Sequence, residues 1–470
     1  MFQIENFKLM SKDTPYRGNS MKLGTGFFLF LLIWTTLAVG QPAQTVGAAK
    51  TPAYLLSLSD AVETSLRNNA SYGETREKEN QADLSTSVTK SILYPNLSLV
   101  GQADRQKDAN NGFVSNTGRA GSYNEYTTSL RLNQLLYQHG TFATIDTAKK
   151  NRALAGFNTE IAQRDLSNSV IQAYYLIVLS SRNIQTLEDQ KKIVAESLQV
   201  ALKRQQTGRG QLLDTLQVKT QFALLEGQLS TAKNQLSEAQ TTLASLLGNS
   251  TSQEFNIKNT LEAPSVPEID ASIDLKNSRI PEILKDDVAY QQIENQKETL
   301  WGQNLPSLNL LGTYNFANEK DSDLFQDSSN SWTIGVQLTI PLFSGLSTVY
   351  QDHVLSSQQL QLSLDKKYLQ DQVSLQQLNN KKNLETALDS IQTGNEALKL
   401  AQASLKEAQR NYKFATIDYL QYLSVQQQLA QAEQSLNTYK YNYITALGNY
   451  YSATGQNMKN LIALLEKAQH

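Results

Sequence analysis

Cysteine is absent from all 470 residues. That absence removes disulfides, thiol nucleophiles, cysteine-type zinc sites and a lipid-bearing N-terminal cysteine. Histidine is nearly missing too: His139, His353 and His470 are too few and too scattered for a histidine-based metal centre. Proline is scarce, with nine in the chain, which leaves room for very long helices. Charged residues make up only 18% and apolar residues only 40%, the gap being filled by Gln, Asn, Ser and Thr. With 42 basic against 44 acidic residues, the chain lacks the positive surplus of a nucleic-acid binder, so no nucleic-acid partner is expected. It also lacks the phosphate-loop, zinc-protease and serine-elbow motifs, and no carboxylate pair stands beside a base. No catalytic, cofactor-binding or metal-binding residue is expected.

Long apolar runs are missing except for one. After a polar, mixed stretch, Lys22 precedes the apolar run 23–39, and Ala38-Val39-Gly40 places small residues before Gln41. A positive start, an apolar middle and a small-residue exit describe a cleavable export signal over 1–40, with Met21 as the expected true start. An N-terminal membrane anchor is the competing reading. No second run of 18 or more apolar residues follows, so no further membrane helix is expected.

What is present is a duplication. Tyr94-Pro95-Asn96-Leu97-Ser98-Leu99-Val100-Gly101 matches Leu305-Pro306-Ser307-Leu308-Asn309-Leu310-Leu311-Gly312 at an offset of 211. Leu130, Leu132, Leu136 and Tyr137 match Val336, Leu338, Leu342 and Phe343 at 206, and Leu225, Leu229, Ala232 and Leu236 match Val425, Leu429, Ala432 and Leu436 at 200. Gly208, Leu213 and Leu216 fall on Ala415, Leu420 and Leu423 at 207, so the step to 200 is one heptad, the deletion that leaves a coiled-coil face pointing at its partner. The expected division is a linker at 41–54, a first repeat at 55–260, an inter-repeat linker at 261–277 and a second repeat at 278–470. Each repeat reads helix, strand, loop, strand, long helix, tight turn, helix.

The segments 141–207 and 344–412 contain no proline, and at ~1.5 Å per residue each makes a rod of roughly 100 Å. In the second rod Leu384, Leu388, Ile391, Leu398 and Leu405 form one stripe. Ala387, Gly394, Ala397, Ala401 and Ala408 form another, and two seams predict two helical neighbours. Period-2 segments lie between the helices. Trp332, Ile334, Val336, Leu338 and Ile340 alternate with Thr333, Gly335, Gln337 and Thr339, and Tyr126, Thr128, Leu130 and Leu132 alternate with Thr127, Ser129, Arg131 and Asn133. Their partners are 97–105 and 308–316, each close to the length of a tilted outer-membrane strand. The stretches 106–124 and 318–330 read as solvated loops. Four strands cannot close a barrel in lipid, so several chains must contribute; two, three or four copies would each close.

The duplicated helix–proline–strand junctions and the Pro341-Leu342-Phe343-Ser344-Gly345 strand exit resemble TolC-type outer-membrane efflux proteins over roughly 55–460. The resemblance implies a mostly α chain with four membrane β-strands. Three copies would close a twelve-strand β-barrel in the outer membrane of a Gram-negative cell, continued by an antiparallel α-helical coiled-coil barrel across the periplasm. It also implies partners: a homotrimer, outer-membrane lipid, a periplasmic adaptor (membrane fusion) protein and an inner-membrane pump of the RND or ABC type. The first repeat departs at Gln134-Leu135-Leu136-Tyr137, which lacks the proline; only a change in local bend is expected.

In that family each repeat turns back at a periplasmic tip. Here the turns fall on Thr207, Gly208 and Arg209 and on Phe414, Ala415 and Thr416, which the resemblance makes adaptor-docking residues. Gly208 keeps the family glycine and Ala415 does not. The gate residues carried over are Asp214, Gln217, Tyr412, Gln421 and Ser424, Tyr412 as part of a latch holding the tip closed. Gln421 and Ser424 are neutral where the family has carboxylates, so weaker cation selectivity is expected. The implied function is a passive exit duct for small toxic compounds. The alternatives are a duct for type I protein secretion and, from another class, a secreted coiled-coil structural protein.

Overall fold

The computed structural model describes residues 55–108, 121–207, 211–249, 255–258, 260–264, 279–318, 330–414 and 416–468. In chain order the elements are β1 (Leu55–Leu56), α1 (Leu58–Asn68), α2 (Ala70–Lys90), β2 (Asn96–Asp108), β3 (Gly121–Gln138), α3 (Thr141–Gln206) and α4 (Leu212–Leu246). There follow β4 (Asn256–Ile257), α5 (Pro281–Gly302), β5 (Ser307–Asn318), β6 (Asn330–Thr339), α6 (Ser347–Lys413), α7 (Tyr419–Thr454) and α8 (Met458–Ala468). The export signal, the Met21 start and the linker at 41–54 lie outside the described residues, as do 265–277 of the inter-repeat linker and residue 278.

The two proline-free rods are the single helices α3 and α6, 66 and 67 residues long. Each begins at a left-handed residue. Gly140 has φ +86, and a Cβ there would sit 2.9 Å from the Thr299 backbone; α6 starts after Gly345 and Leu346, both at positive φ. Side chains place the helices in one layer. Near the strands the order is α2–α3–α5–α6, set by Arg152–Asp83 at 2.9 Å, the Arg164–Glu282 pair at 2.8 Å and Lys297 donating to Gln359 at 2.7 Å. Toward the far end it becomes α4–α3–α7–α6, through Lys191–Glu226, Asn168–Asn449 and Gln377 donating to the Ala453 carbonyl.

The two stripes expected on α6 merge into one seam. Leu384, Ala387, Ile391, Gly394, Ala408 and Tyr412 are buried on a 4-3 spacing, with Leu398 and Leu405 packed at the same seam. Leu388 and Ala397 face outward. Large and small residues alternate because α7 supplies the complementary bulk: a Cβ on Gly394 would meet Tyr439 at 2.9 Å and Leu436 at 3.2 Å. The second neighbour of α6 is α5, met at its other end.

The four-stranded sheet has the order β2–β3–β5–β6, antiparallel throughout. Directly opposed residues share a face, so the register assembles the alternation of every strand into one surface. Leu97 lies opposite Leu132, Leu99 opposite Leu130, Leu130 opposite Tyr314, Tyr314 opposite Trp332 and Leu308 opposite Leu338. Ser98, Arg131 and Thr313 line the other face with Asn309 and Gln337. The first strand pair is longer than the side-chain pattern indicates. Lys107 pairs with Ser122 and Asp108 with Gly121, because backbone pairing needs no apolar residue, so the solvated stretches shrink at both ends. Without proline, β3 also runs on to Gln138 through a bulge at Leu136, whereas β6 stops at Thr339 ahead of Pro341.

The larger of two buried clusters lies midway along α3, around Tyr174, Tyr175, Tyr443, Leu447, Leu461 and Leu465. There α1, α8 and the parallel pair β1–β4 wrap the long helices, with Tyr174 donating to the Leu56 carbonyl and Tyr443 to that of Pro264.

Candidate functional site at the helix tips

The two helical hairpins, α3–α4 and α6–α7, end side by side. The last turn of α3 carries Lys203 and Arg204, cations at the negative end of a helix dipole. Arg204 turns inward. Its guanidinium lies 4.8 Å from the centre of the Tyr412 ring, and Nη2 donates to the Tyr412 carbonyl at 3.2 Å. Tyr412 stacks on Tyr422 at 4.8 Å and 5°, and Tyr419 leans against it at 6.2 Å. All three tyrosines are buried. One cation from the first hairpin therefore closes over an aromatic stack belonging to the second.

The electrostatics follow from burial. Desolvation pushes the Tyr412 hydroxyl above its ordinary pKa, Arg204 opposing and Asp214 adding to the shift. The Tyr419 hydroxyl is pushed further up, chiefly by burial, and has no hydrogen-bond partner among the described residues. The turn after α6 is held by Asp418, whose side chain caps α7 by accepting from the Gln421 N–H at 2.7 Å. The α3–α4 turn is braced by Thr215 donating to Gln205 at 2.9 Å.

The expected site residues occupy three settings. Tyr412 is inside the stack, and Asp214, in the first turn of α4, is close enough for its charge to bear on Tyr412. Gln217 is half-buried one turn further along α4, while Gln421 and Ser424 share an exposed face of α7. Thr207 caps α3 and donates to the Lys203 and Arg204 carbonyls, Phe414 is 72% exposed, and Thr416 bonds back to Asn411. Gly208, Arg209 and Ala415 lie outside the described residues. Reasoning from sequence missed Arg204, Tyr419 and Tyr422. Tyr412 lies in the last turn of α6 and Tyr419 opens α7, so their spacing spans a turn and carries no helical periodicity; nothing local marks Arg204 either.

Among the described residues no cluster of three or more His, Asp or Glu side chains could hold a metal, and no helix is long and apolar enough to cross a membrane. The arrangement holds the two hairpins together at the tip.

Residues 61–249 and 281–456 match the family described as outer membrane efflux protein. The outer membrane protein TolC of Vibrio cholerae is 21% identical over 340 residues, 70% of this chain and 76% of that one. The alkaline protease secretion protein AprF of Pseudomonas aeruginosa is 23% identical over 239 residues, about half of each chain. The fold is that of the Campylobacter jejuni CmeC outer membrane channel, at a TM-score of 0.72 and 17% identity, over 88% of this chain and 89% of that one. A helical layer carrying a one-sided apolar sheet, matched along both repeats, makes this chain a member of the outer membrane efflux protein family, and its place is the outer membrane.

Proposed function

We propose that three copies close edge to edge into a twelve-strand barrel continued by a helical tunnel, and that the assembly is a passive exit duct of a tripartite efflux pump. The observation that carries this reading is that sheet and helix layer are both open along the same two margins. β2 and β6 each leave one edge unpaired within the chain, at several kcal/mol for each backbone group stranded in lipid. Beneath them the outermost helices carry unpartnered apolar residues: Leu84 and Val88 on α2, and Leu360, Leu364 and Tyr368 on α6. A neighbouring copy covers strand edge and helix edge together. The copy number of three rests on the family resemblance.

In this reading small toxic compounds pass from periplasm to exterior. Energy comes from an inner-membrane pump, of RND or ABC type, reached through a periplasmic adaptor docked at the tips. The tips open by a change in packing between the hairpins, biased by partner binding. Expression beside an adaptor and pump, in cells lacking their own duct, tests this: restored resistance to toxic compounds supports it. A second reading, an exit duct for type I protein secretion, is favoured by the similarity to AprF. Release of a pump-exported protein into the medium without restored resistance selects that reading.

A further inference from the structure

The seam between the two hairpins contains a buried residue that the packing does not satisfy. Gln426 of α7 is 5% exposed, and neither its Oε1 nor its Nε2 has a hydrogen-bond partner among the described residues. It falls on the buried stripe of α7 with Tyr419, Tyr422 and Ala430, where an apolar side chain belongs. Val194 of α3, Leu225 of α4 and Leu405 of α6 border the same space as Gln426. An equivalent residue shows how such a glutamine is normally handled. Gln377 of α6 is buried to the same degree, and it donates to the Ala453 carbonyl at 2.9 Å.

Beside Gln426 lies a cavity of about 70 Å³ reached by all four helices. Three more glutamines open onto it from different elements: Gln190 of α3, Gln221 of α4 and Gln427 of α7. Thr186, Asp189 and Glu433 also line it. At roughly 10–15 Å³ of such space for each water, there is room for several. Gln426 already borders this cavity, and an amide with no protein partner destabilises the arrangement that contains it, whereas a small rotation of α7 brings that amide toward the glutamines of α3 and α4.

We propose that Gln426 and this glutamine-lined cavity form a two-position seat, which disfavours the latched packing of α7 against α3 and α4 and stabilises a rotated one. The proposal deepens the gating part of the proposed function and rests on it. The latched packing is the one in which Arg204 covers Tyr412, so Gln426 and Arg204 act in opposite directions on the same joint.

The test uses the full-length oligomer in planar lipid bilayers, together with thermal melts. Gln426→Leu and Gln426→Met both remove the unpaired amide while keeping bulk, and each is expected to lower the fraction of time spent open about tenfold and to raise the melting temperature. Gln221→Leu, which removes a partner available only after rotation, is expected to lower opening without raising the melting temperature. Opening unchanged in both Gln426 variants, or a lower melting temperature in both, overturns the seat. A wild-type channel of fixed conductance that Arg204→Ala does not alter overturns the gating reading itself. A wild type that gates, with Gln426 variants that gate identically, overturns only the seat.

Discussion

Arg204 and Tyr412, 208 residues apart in the chain, meet at the tip, guanidinium over ring at 4.8 Å and Nη2 on backbone carbonyl at 3.2 Å. The contact joins the last turn of one long helix to the last turn of the other, so it reports directly on whether the hairpins are together. A cation–π contact and a charge-assisted hydrogen bond at a half-buried site are worth about 1–2 kcal/mol together. Arg204→Ala is expected to raise single-channel conductance or open time several-fold. Arg204→Lys keeps the charge, loses the planar stack, and should fall between. Unaltered conductance in both would remove the contact from the gate.

Ion selectivity gives a second prediction. Gln421 and Ser424 lie on one exposed face of α7 and carry no charge. Gln421→Asp should introduce one carboxylate per protomer and shift the reversal potential in a salt gradient toward cation selectivity. Equal, strong cation selectivity before and after the change would contradict the assignment of that face to the pore.

Glu433 supplies a pH-dependent one. Desolvation lifts its carboxyl above the ordinary value, Thr186 opposing through a hydrogen bond and Asp189 adding to the lift. A carboxyl raised in the folded state contributes its stability below the unfolded value, and that contribution is lost as pH rises through the folded one. Glu433→Gln should therefore raise the melting temperature at pH 7, and the advantage should vanish toward pH 4. A pH-independent difference would show that the charge is not what strains the site.

The midsection is pinned end to end. Glu466 of α8 accepts from both the N–H and the hydroxyl of Ser59, at 2.8 and 2.7 Å across 407 residues. Glu466→Ala should lower stability by about 1–2 kcal/mol without altering conductance, since the contact lies far from the tips. An altered conductance would show that the midsection is coupled to the gate.

Much of this was legible in the chain. The long helices follow from proline-free stretches, and the sheet face follows from the alternation at 332–340, which the register extends across four strands. The paired extension through Asp108 and Gly121 was not, because backbone hydrogen bonds leave no side-chain pattern there. Nor was the single seam of α6: the small stripe reads as a second face until Tyr439 is seen filling the space over Gly394. At the tip, Tyr412 was found through resemblance, whereas Arg204 looks like any cation ending a helix until the fold brings the other hairpin beneath it. Gln426 is one glutamine among many in a glutamine-rich chain. Only burial distinguishes it.

The central claim is that open strand and helix edges close together around one axis. Electron microscopy of protein extracted from outer membranes in detergent tests it most directly. The account predicts threefold particles with a short barrel at one end and a long helical tunnel narrowing at the other. Single protomers, thin filaments or particles of another symmetry would contradict it.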